Sequence, residues 1–489
     1  MESMEPLVSR RKTKIVATLG PSSKDPAVIL QLLEAGLDMV RINCSHGTPE
    51  DREALFGNVR RLADDLGLFI PVMFDLQGPK IRIGAVEAPF ELKEGDQLSI
   101  KVGRGTGNRD LVYTSFASFA RDVKSGEPIL IDDGRVRLVA RSIENDTVTA
   151  EVEVGGLVSD RKGINLPQTA VSAQSVSEKD VADLKDAIRL GADFVAISFV
   201  RNAKDVQRIK ALAQDFGSHH VQFIAKIERP EAVRNIRDII DVSDGVMVAR
   251  GDLGVEVGSH RVPMIQKEII TRANMADRFV ITATQMLDSM MQRPIPTRAE
   301  SSDVANAIID GTDACMLSGE TASGKYPIES LEMMVRIARE TENHALYRYQ
   351  VPAVAKGSIH RIPDGIGMAA YQIGSLMNAR LFVAFTNSGS SALKLSKKHP
   401  DCVIMGATIH RHIARRMRAY WGVYPVLLEE PSSLEAMFEQ VKLKIKQMGM
   451  VQKGDLVILT AGHPMWTSGS TNLVKAMIVD EGESSHEVY

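Results

Sequence analysis

The sequence predicts an α/β protein built on a parallel (β/α)8 barrel of the TIM type, and three observations support this. Short apolar runs rich in β-branched residues alternate with amphipathic helical stretches, which is typical of parallel α/β structure. Eight such units fill roughly 250 residues once one interruption is set aside, which is the size of this barrel. Polar side chains repeatedly follow the strands, where barrel enzymes gather their chemistry. Two alternatives remain. Strand ends are often polar simply because they face solvent, and a doubly wound sheet would be built from the same strand–helix units.

The barrel elements follow in order along the chain. The predicted strands are Lys14–Leu19, Met39–Asn43, Phe69–Asp75, Phe194–Ser198, Gln222–Ile227, Gly245–Ala249, Phe279–Ala283 and Ala314–Leu317. The predicted helices are Pro26–Ala35, Pro49–Leu66, Glu178–Leu190, Asn202–Phe216, Pro230–Ile240, Val262–Asp277 and Ser301–Asp310. These elements assign residues 1–78 and 178–348 to one discontinuous catalytic domain.

Two further domains are predicted from changes in pattern. Residues 79–177 contain short alternating runs separated by Gly, Asn and Asp turns, which predicts an inserted all-β domain, a small β-barrel. Because this insert follows the third barrel strand, we expect it to lie at the barrel mouth as a lid. Residues 354–489 repeat the α/β alternation in a smaller unit, which predicts a C-terminal α/β domain.

Composition excludes several classes of protein. The 489 residues carry a net charge of −3, which argues against a nucleic-acid binder. The chain has no run near the ~18 apolar residues of a membrane span, and residues 1–14 lack the apolar core of a secretory signal. Its three cysteines show no metal-type spacing and suggest no disulfide framework. We therefore expect a cytoplasmic protein without a nucleic-acid or membrane partner.

One predicted strand carries a lysine within an apolar run. The period-two geometry of a strand places Ile224, Lys226 and Glu228 on one face. Burying this lysine is costly unless it meets an anion, although a structural, ion-paired lysine is the alternative. Glu228 and Asp252 end successive strands, so their carboxylates can approach one Mg²⁺, which keeps water and substrate oxygens as its other ligands.

A second feature is the run Arg250-Gly251-Asp252, which stands where a helix should begin. Backbone N–H groups at such a point favour a carboxylate or a phosphate. A cation, a divalent metal and an anion pocket together suit a small phosphorylated acid.

These residues belong to motifs that resemble those of the pyruvate kinase family. The motifs are Arg41-Ile-Asn-Cys-Ser-His46-Gly, Asp75-Leu-Gln-Gly-Pro-Lys-Ile-Arg82, Arg161-Lys162-Gly-Ile-Asn-Leu-Pro167, Ile224-Ala-Lys226-Ile-Glu228, Met247-Val-Ala-Arg250-Gly-Asp252-Leu-Gly, Thr282-Ala-Thr284-Gln-Met-Leu, Pro296-Thr-Arg298-Ala-Glu300 with Asp303-Val-Ala-Asn306-Ala, and Met316-Leu-Ser318-Gly-Glu320-Thr. They occur in the family's order, and the resemblance runs from about Lys12 to Val479.

The resemblance implies transfer of the phosphoryl group of phosphoenolpyruvate to ADP, giving pyruvate and ATP, with Mg²⁺ as the cofactor and Mn²⁺ as a substitute for it. The catalytic residues it implies are Lys226, Arg41 and Thr284, and the substrate would be bound by Arg41, Lys226, Gly251, Asp252 and Thr284. The metal would be held by Glu228 and Asp252, and ADP or ATP would be contacted by Asn43, His46, Arg82 and Lys162.

The chain departs from the family pattern at a site that holds potassium in one branch of the family. Asn43, Ser45, Asp75 and Leu76 occupy the positions of this monovalent-cation site. Leu76, Gln77 and Lys80 stand where the potassium-dependent branch has Thr, Lys and Glu. Because the ammonium of Lys80 can supply the same unit of charge, the sequence predicts that K⁺ is not required. The alternative is that Lys80 points to solvent and potassium still binds.

The resemblance also implies an allosteric site for a phosphorylated sugar and a homotetramer. The run Thr386, Asn387, Ser388, Gly389, Ser390 and Ser391 follows a predicted strand and opens a helix, a pattern typical of a phosphate cradle. An ordinary Ser-rich helix start is the alternative. The facing loop Ala461–Ser470 has no arginine, which favours a sugar monophosphate over a bisphosphate.

Two other functions remain to be weighed against this one. A Mg²⁺-dependent lyase or aldolase on a TIM barrel could hold a pyruvate enolate with the same Arg, Glu and Asp, but it would not need a lid carrying Arg82 and Lys162. A catalytically dead metabolite sensor would not need a competent residue at every proposed position.

Overall fold

The central domain is a closed barrel of eight parallel strands. The computed structural model describes residues 11–167, 169, 171–172, 176–218, 220–344, 361–464 and 469–479. Barrel strands 1 to 8 are Lys14–Leu19, Met39–Asn43, Val72–Asp75, Phe194–Ile197, Gln222–Ile227, Gly245–Ala249, Phe279–Ala283 and Ala314–Leu317. Each strand pairs with its neighbours in the chain, and strand 1 pairs with strand 8, so the ring closes. The barrel prediction is confirmed and a doubly wound sheet is excluded.

Helices surround the barrel. They are Pro26–Glu34, Pro49–Asp65, Glu178–Leu190, Ala203–Asp215, Pro230–Arg234, Ile236–Val242, Arg250–Val257, Val262–Met275, Arg298–Ile309, Gly319–Ala322 and Pro327–Asn343, with short 3₁₀ turns at Ser259–Arg261 and Asp288–Met291. Reciprocal capping boxes of Thr48 with Asp51 and Ser177 with Asp180 satisfy N–H groups that would otherwise have no partner at the helix start.

Three predicted boundaries are wrong, each for a local reason. Strand 3 begins at Val72 because the preceding residue is Pro71, which cannot donate a ladder hydrogen bond. The helix predicted over 230–240 is two helices that meet at Asn235, whose side chain donates to the carbonyl oxygen of Arg201 at 2.9 Å. The helix predicted from Ser301 begins at Arg298, because Thr297 caps it together with Glu300.

The insert between barrel strands 3 and 4 is almost entirely β-structure. Its strands are Ala85–Val86, Phe90–Leu92, Gln97–Val102, Thr106–Gly107, Leu111–Thr114, Pro128–Ile131, Val136–Glu144, Thr147–Val154, Gly156–Val158 and Ile164–Asn165, with one short helix at Phe119–Asp122. Six of them form one sheet. Arg82 bridges to Gly163 beside one edge of that sheet and Ile83 bridges to Thr114 at the other, so the sheet curls into a small barrel.

The C-terminal domain is a five-stranded sheet with helices. In spatial order its strands are Val423–Leu427, Ile404–Thr408, Leu381–Phe385, Leu456–Gly462 and Thr471–Ile478, and only the last is antiparallel to its neighbour. Its helices are Ile362–Leu376, Ser390–Ser396, Arg411–Arg418 and Leu434–Gln447. This confirms the predicted α/β class. Residues 354–360 and 480–489 of the predicted domain lie outside the described residues, and its exact limits remain a prediction.

The barrel interior and the C-terminal domain share one apolar core. Phe194 and Phe279, at the amino ends of strands 4 and 7, pack with their ring centroids 5.8 Å apart. The ring of Phe279 lies 6.1 Å from that of Tyr420, which belongs to the C-terminal domain. The amino-terminal end of the barrel is therefore covered by the C-terminal domain, and the opposite end is left for the insert. Within the described ranges, no helix combines the length and apolar character that crossing a bilayer would need.

A buried ion pair joins the two domains beneath this core. Lys397 of the C-terminal domain contacts Asp313, which precedes strand 8, and both side chains are fully buried. Lys397 also donates to Asn274 Oδ1 at 2.9 Å, and Asp313 accepts from the backbone N–H of Val280 at 2.7 Å. Nearer the rim, Arg418 lies 3.1 Å from Asp38.

Replacing Lys397 with Met should destabilise the protein strongly. The variant leaves Asp313 buried without its cation, a change that costs about 3–5 kcal/mol. Urea unfolding measures the loss, and the double variant K397M/D313N should recover part of it because no buried charge is left unpaired. The exposed pair Lys442–Glu439 supplies the control, since K442M should change stability by less than about 1 kcal/mol. A loss below 1 kcal/mol in K397M would contradict this account of the domain contact.

Candidate active site

Barrel strand 5 carries an ammonium group to the mouth of the barrel. Ile224 packs in the barrel interior, whereas Ala225 and Ile227 belong to the core between strands and helices. Lys226 therefore continues the interior column, as the period of two predicts. Its side chain is only 12% exposed.

Three polar groups surround the Lys226 ammonium. Its Nζ lies 2.8 Å from Glu228 Oε1 and 3.2 Å from Asp75 Oδ1, and it donates to Ser198 Oγ at 2.8 Å. Burial alone would lower the pKa of Lys226, but the carboxylates of Asp75 and Glu228 outweigh burial and raise that pKa above its ordinary value. The lysine is a fixed positive charge at neutral pH.

Arg41 extends this row of charges toward strand 1. Its Nε and Nη2 both lie 2.7 Å from Asp75 Oδ2, and its Nη1 donates to Thr18 Oγ1 at 2.9 Å. Burial works to raise the pKa of Asp75, yet Lys226 and Arg41 hold it below its ordinary value. One ionised carboxylate thus holds both cations at the barrel mouth.

Glu228 has fewer positive charges near it than Asp75 has. Its Oε2 accepts the backbone N–H of Phe199 at 2.8 Å. Burial raises the pKa of Glu228, Lys226 opposes that effect, and the negative charge of Asp252 adds to it. Glu228 is thus a buried acid whose one ion-pair partner in the described residues is Lys226, with the charge of Asp252 acting on it from the neighbouring helix.

Asp252 and Gly251 lie in the first turn of the helix Arg250–Val257, as the sequence predicts. The Gly251 N–H donates to Thr284 Oγ1 at 2.7 Å, and this hydroxyl donates to the Ala283 carbonyl oxygen at 2.6 Å. Thr284 has a φ of 69°, a left-handed conformation that is unusual for a β-branched residue.

Arg250 stabilises this strained loop from behind. Its Nη2 donates to the Thr284 carbonyl oxygen at 2.8 Å, and its Nη1 lies 2.7 Å from Asp303 Oδ2. Arg250 therefore holds the Thr284 loop in place, next to the first turn of the helix that carries Gly251 and Asp252.

A cavity of about 280 Å³ separates the insert from the barrel mouth. Lys80, Arg82, Lys162 and Asp252 are among the residues that line it. Arg82 Nη1 donates to the Arg161 carbonyl oxygen at 2.9 Å, and Lys162 Nζ lies 2.9 Å from Asp132 Oδ1. Cationic side chains from the insert thus face the carboxylate that begins the barrel helix.

Comparison with known proteins identifies this arrangement. The family model described as pyruvate kinase, barrel domain, matches residues 10–331, and the pyruvate kinase alpha/beta domain matches residues 364–477. The chain belongs to the pyruvate kinase family. The expectation that it is an enzyme of this kind is confirmed, which decides against the lyase and sensor alternatives.

Curated relatives agree over nearly the full length. The chain is 41% identical to the pyruvate kinase of Agrobacterium vitis over 467 residues, covering 95% of this chain and 98% of the relative. It is 40% identical to that of Mycobacterium tuberculosis (strain ATCC 25618 / H37Rv) over 477 residues, covering 97% and 99%. The pyruvate kinase of Sporosarcina psychrophila is 41% identical over 475 residues, covering 96% of this chain and 81% of the relative.

The predicted monovalent-cation residues of this pyruvate kinase family member lie at the carboxyl ends of strands 2 and 3, where Asn43 and Asp75 are the last strand residues and Ser45 and Leu76 follow. Asn43 Oδ1 accepts the backbone N–H of Ser45 at 3.0 Å, which orders the turn that leads to His46. The Leu76 carbonyl oxygen accepts from Ser198 Oγ at 2.7 Å. Lys80 is exposed, and partial burial together with the charge of Lys80 lowers the pKa of His46.

The predicted effector residues form a turn with internal hydrogen bonds in the C-terminal domain. Gly389, at a φ of 86°, donates its N–H to Thr386 Oγ1 at 2.9 Å. Ser388 Oγ donates to Ser390 Oγ at 3.0 Å, and Asn387 Oδ1 lies 2.6 Å from His410 Nε2. A cavity of about 560 Å³ is lined in part by Ser390, Ser391, Lys394 and Arg361. Residues 465–468 of the facing loop lie outside the described residues.

Sequence reasoning missed two hydroxyl groups of the site. Ser198 joins Lys226 to the Leu76 carbonyl oxygen, and Thr18 joins Arg41 to strand 1. The signal that could have found Ser198 is its place at the carboxyl end of strand 4, the criterion that applied to the other strands. Thr18 lies inside its strand and has no such signal.

Replacing Lys226 with Met should abolish turnover. Losing one preorganised charge stabiliser costs at least ~10²–10³ in rate. Thermal unfolding should show a folded protein with a lowered Tm, because Asp75 keeps Arg41 and Glu228 keeps the Phe199 N–H, but the buried Glu228 loses its cation. The exposed Lys204→Met variant is the control and should retain wild-type kcat. If K226M kept its rate within about tenfold of wild type, Lys226 would not be the charge stabiliser on which turnover depends.

Proposed function

We propose that this pyruvate kinase family member transfers the phosphoryl group of phosphoenolpyruvate to ADP in a Mg²⁺-dependent reaction, giving pyruvate and ATP. The observation that carries the proposal is the buried Lys226 ammonium, held by Asp75, Glu228 and Ser198 beside Arg41. Phosphoryl transfer is catalysed almost entirely by positioning and electrostatic stabilisation, which this fixed pair of cations supplies.

Lys226 and Arg41 act on the reacting phosphoryl group. In this proposal Arg41 binds phosphoryl oxygens, and Lys226 stabilises negative charge on the transferring group and on the developing enolate. The support is geometric: Asp75 places both cations at the same point of the mouth through its two oxygens. Neither cation needs to reorganise when charge develops.

The substrate carboxylate is held at the start of the helix Arg250–Val257. The N–H groups of Gly251 and Asp252 point outward from a helix start, where backbone donors have no helical partner. Thr284 contacts the Gly251 N–H in the free enzyme, so its hydroxyl lies where a carboxylate would bind and it becomes the third contact. The enolate is protonated from the Thr284 side through water.

Glu228 and Asp252 fit a divalent cation. The support is that Glu228 is buried at the end of strand 5 and Asp252 lies in the first turn of the helix that follows strand 6, the neighbouring strand, so the negative charge of Asp252 adds to burial in raising the pKa of Glu228. Mg²⁺ is usually bound through one or two carboxylates together with substrate and water oxygens, and these two side chains would supply the carboxylates. When bound, Mg²⁺ or Mn²⁺ supplies charge neutralisation for the phosphoryl oxygens.

The nucleotide lies in the cavity between the insert and the barrel mouth. Arg82 and Lys162 line that cavity together with Asp252, and His46 is near enough to Lys80, Arg41 and Arg82 for their charges to lower its pKa. Asn43 shapes the turn that presents His46. These groups suit the phosphates and ribose of ADP or ATP.

The test is pyruvate formation in an assay coupled to lactate dehydrogenase. Pyruvate should form from phosphoenolpyruvate only when ADP and Mg²⁺ are both present. Excess EDTA should stop the reaction, and added MgCl₂ or MnCl₂ should restore it. Pyruvate release independent of ADP, or turnover that survives chelation, would overturn the proposal.

We further infer that the enzyme does not need potassium. The support is that Lys80 lines the cavity and that its charge lowers the pKa of His46. His46 lies in the same turn as Asn43 and Ser45. Two like cations about 4 Å apart repel by roughly 4 kcal/mol at an effective dielectric near 20, so the lysine and the ion would compete.

Turnover should therefore be independent of K⁺ in the wild type and dependent on it after Lys80→Glu. Rates are compared in tetramethylammonium buffer with and without KCl at matched ionic strength. The exposed Lys204→Glu variant is the control for the change of charge and should remain independent of K⁺. More than tenfold stimulation of the wild type by KCl would contradict this inference.

We also infer that a sugar monophosphate activates the enzyme at residues Thr386–Ser391. The turn at Gly389 and the hydroxyls of Ser388 and Ser390 lie beside a cavity that Lys394 and Arg361 help to line. Hydroxyl and N–H donors with nearby cationic side chains suit a single phosphate group.

Placing acidic side chains in this turn should abolish activation. In S388E/S390E, two carboxylates would repel the phosphate, so glucose 6-phosphate and ribose 5-phosphate should no longer lower the KM for phosphoenolpyruvate. Basal kcat should persist. S432E, an exposed charge elsewhere in the same domain, is the control. Activation that survives S388E/S390E would place the effector elsewhere.

We infer that four copies of the chain assemble, which gives the effector a route between subunits. The support is exposed apolar side chains at both ends of the helix Ile362–Leu376 of the C-terminal domain: Ile362 is 71%, Leu376 81% and Met377 58% exposed. Sedimentation velocity should give about four times the 53.5 kDa chain mass, and a monomer would refute the assembly.

A further inference from the structure

Glu256 is a buried acid that the reaction proposed above does not use. It lies in the helix Arg250–Val257, and only 2% of its side chain is exposed. Its Oε1 accepts from Asn165 Nδ2 of the insert at 3.1 Å and lies 3.8 Å from Arg229 Nη1. Burial raises the pKa of Glu256, Arg229 and Asn165 oppose that effect, and Glu231 and Asp252 add to it.

The second carboxylate oxygen of Glu256 makes no hydrogen bond to the described residues. Leaving a buried acceptor unsatisfied is costly. Glu256 lines the cavity between the insert and the barrel, together with Lys162 and Asp252. Its position is thus at the boundary between the two parts of the active site.

Three functional segments meet at this one side chain. Asn165 lies three residues after Lys162, in the strand that pairs with Pro128–Ile131 of the insert. Arg229 directly follows Glu228. Glu256 lies four residues after Asp252 and therefore on the same face of the helix. Asn165 of the insert is therefore linked through Glu256 and one helical turn to Asp252.

We propose that Glu256 is a positioning residue that couples binding of the nucleoside diphosphate to binding of the carboxylate substrate. The lid side of the site, with Arg82 and Lys162, is held against the helix of Gly251 and Asp252 through the contact of Asn165 with Glu256. A ligand that fixes either side favours the same arrangement of the other, which is a coupling free energy between two sites. The proposal rests on the substrate positions given under the proposed function.

The competing interpretation is that Asn165 and Glu256 only hold two parts of the protein together. A purely structural contact would change stability, or change both substrate constants independently. It would not change the factor by which one substrate alters the affinity for the other. That factor therefore separates the two interpretations.

The experiment is a two-substrate initial-rate analysis of the wild type, N165A, E256A and N165A/E256A at saturating Mg²⁺. It yields the factor by which ADP changes the dissociation constant of phosphoenolpyruvate. In the wild type, ADP should lower the dissociation constant of phosphoenolpyruvate. In each single variant this factor should move toward one by about threefold to tenfold, the range expected for the loss of one hydrogen bond. The double variant should match the singles, because both remove the same contact.

A matched control lies within the insert. Glu151 pairs with Arg141 at 3.0 Å inside the lid sheet, so E151Q should leave the factor and both substrate constants unchanged. N165A keeps the test valid if E256A folds poorly, since Asn165 is only partly buried. This inference, and not the proposed function, would be overturned if the two substrates bind independently to the wild-type enzyme or if the variants keep the wild-type factor. Absence of ADP-dependent turnover in the wild type would instead overturn the proposed function.

Discussion

The site depends on one constraint, a lysine ammonium buried at the mouth of the barrel. A charge there is stable only if anions compensate the loss of water, and Asp75 and Glu228 do so. Each acid is fixed in turn, Asp75 by Arg41 and Glu228 by the Phe199 N–H. The result is a row of alternating charges that needs no rearrangement when a charged substrate reacts.

The opposite end of the barrel explains why this row can stay rigid. The interior core runs without interruption from the strands into the C-terminal domain, where Tyr420 packs on Phe279. The Tyr420 hydroxyl lies 3.3 Å from Gln222 Oε1, at the start of the strand that ends near Lys226. Packing at the amino-terminal end of the strand Gln222–Ile227 thus fixes the position of Lys226 near its other end.

Much of the fold could be predicted because buried parallel strands are continuous apolar runs. Strands such as Lys14–Leu19 and Gly245–Ala249 have the boundaries expected from sequence. Lys226 was found because its charge interrupts such a run. The contact of Asn165 with Glu256 could not be found, because it joins residues 91 positions apart, each ordinary in its own segment. The helix break at Asn235 depends likewise on a carbonyl group of a distant loop.

The most direct test of this account is the protonation of Lys226 itself. Lysine labelled with ¹³C at Cε reports the charge of each ammonium by NMR, and the signal absent from K226R identifies Lys226. The carboxylates of Asp75 and Glu228 raise its pKa, so the signal should show no titration up to about pH 10.4, the ordinary value for lysine. A midpoint below about pH 9 would contradict the account, because burial would then outweigh the two carboxylates.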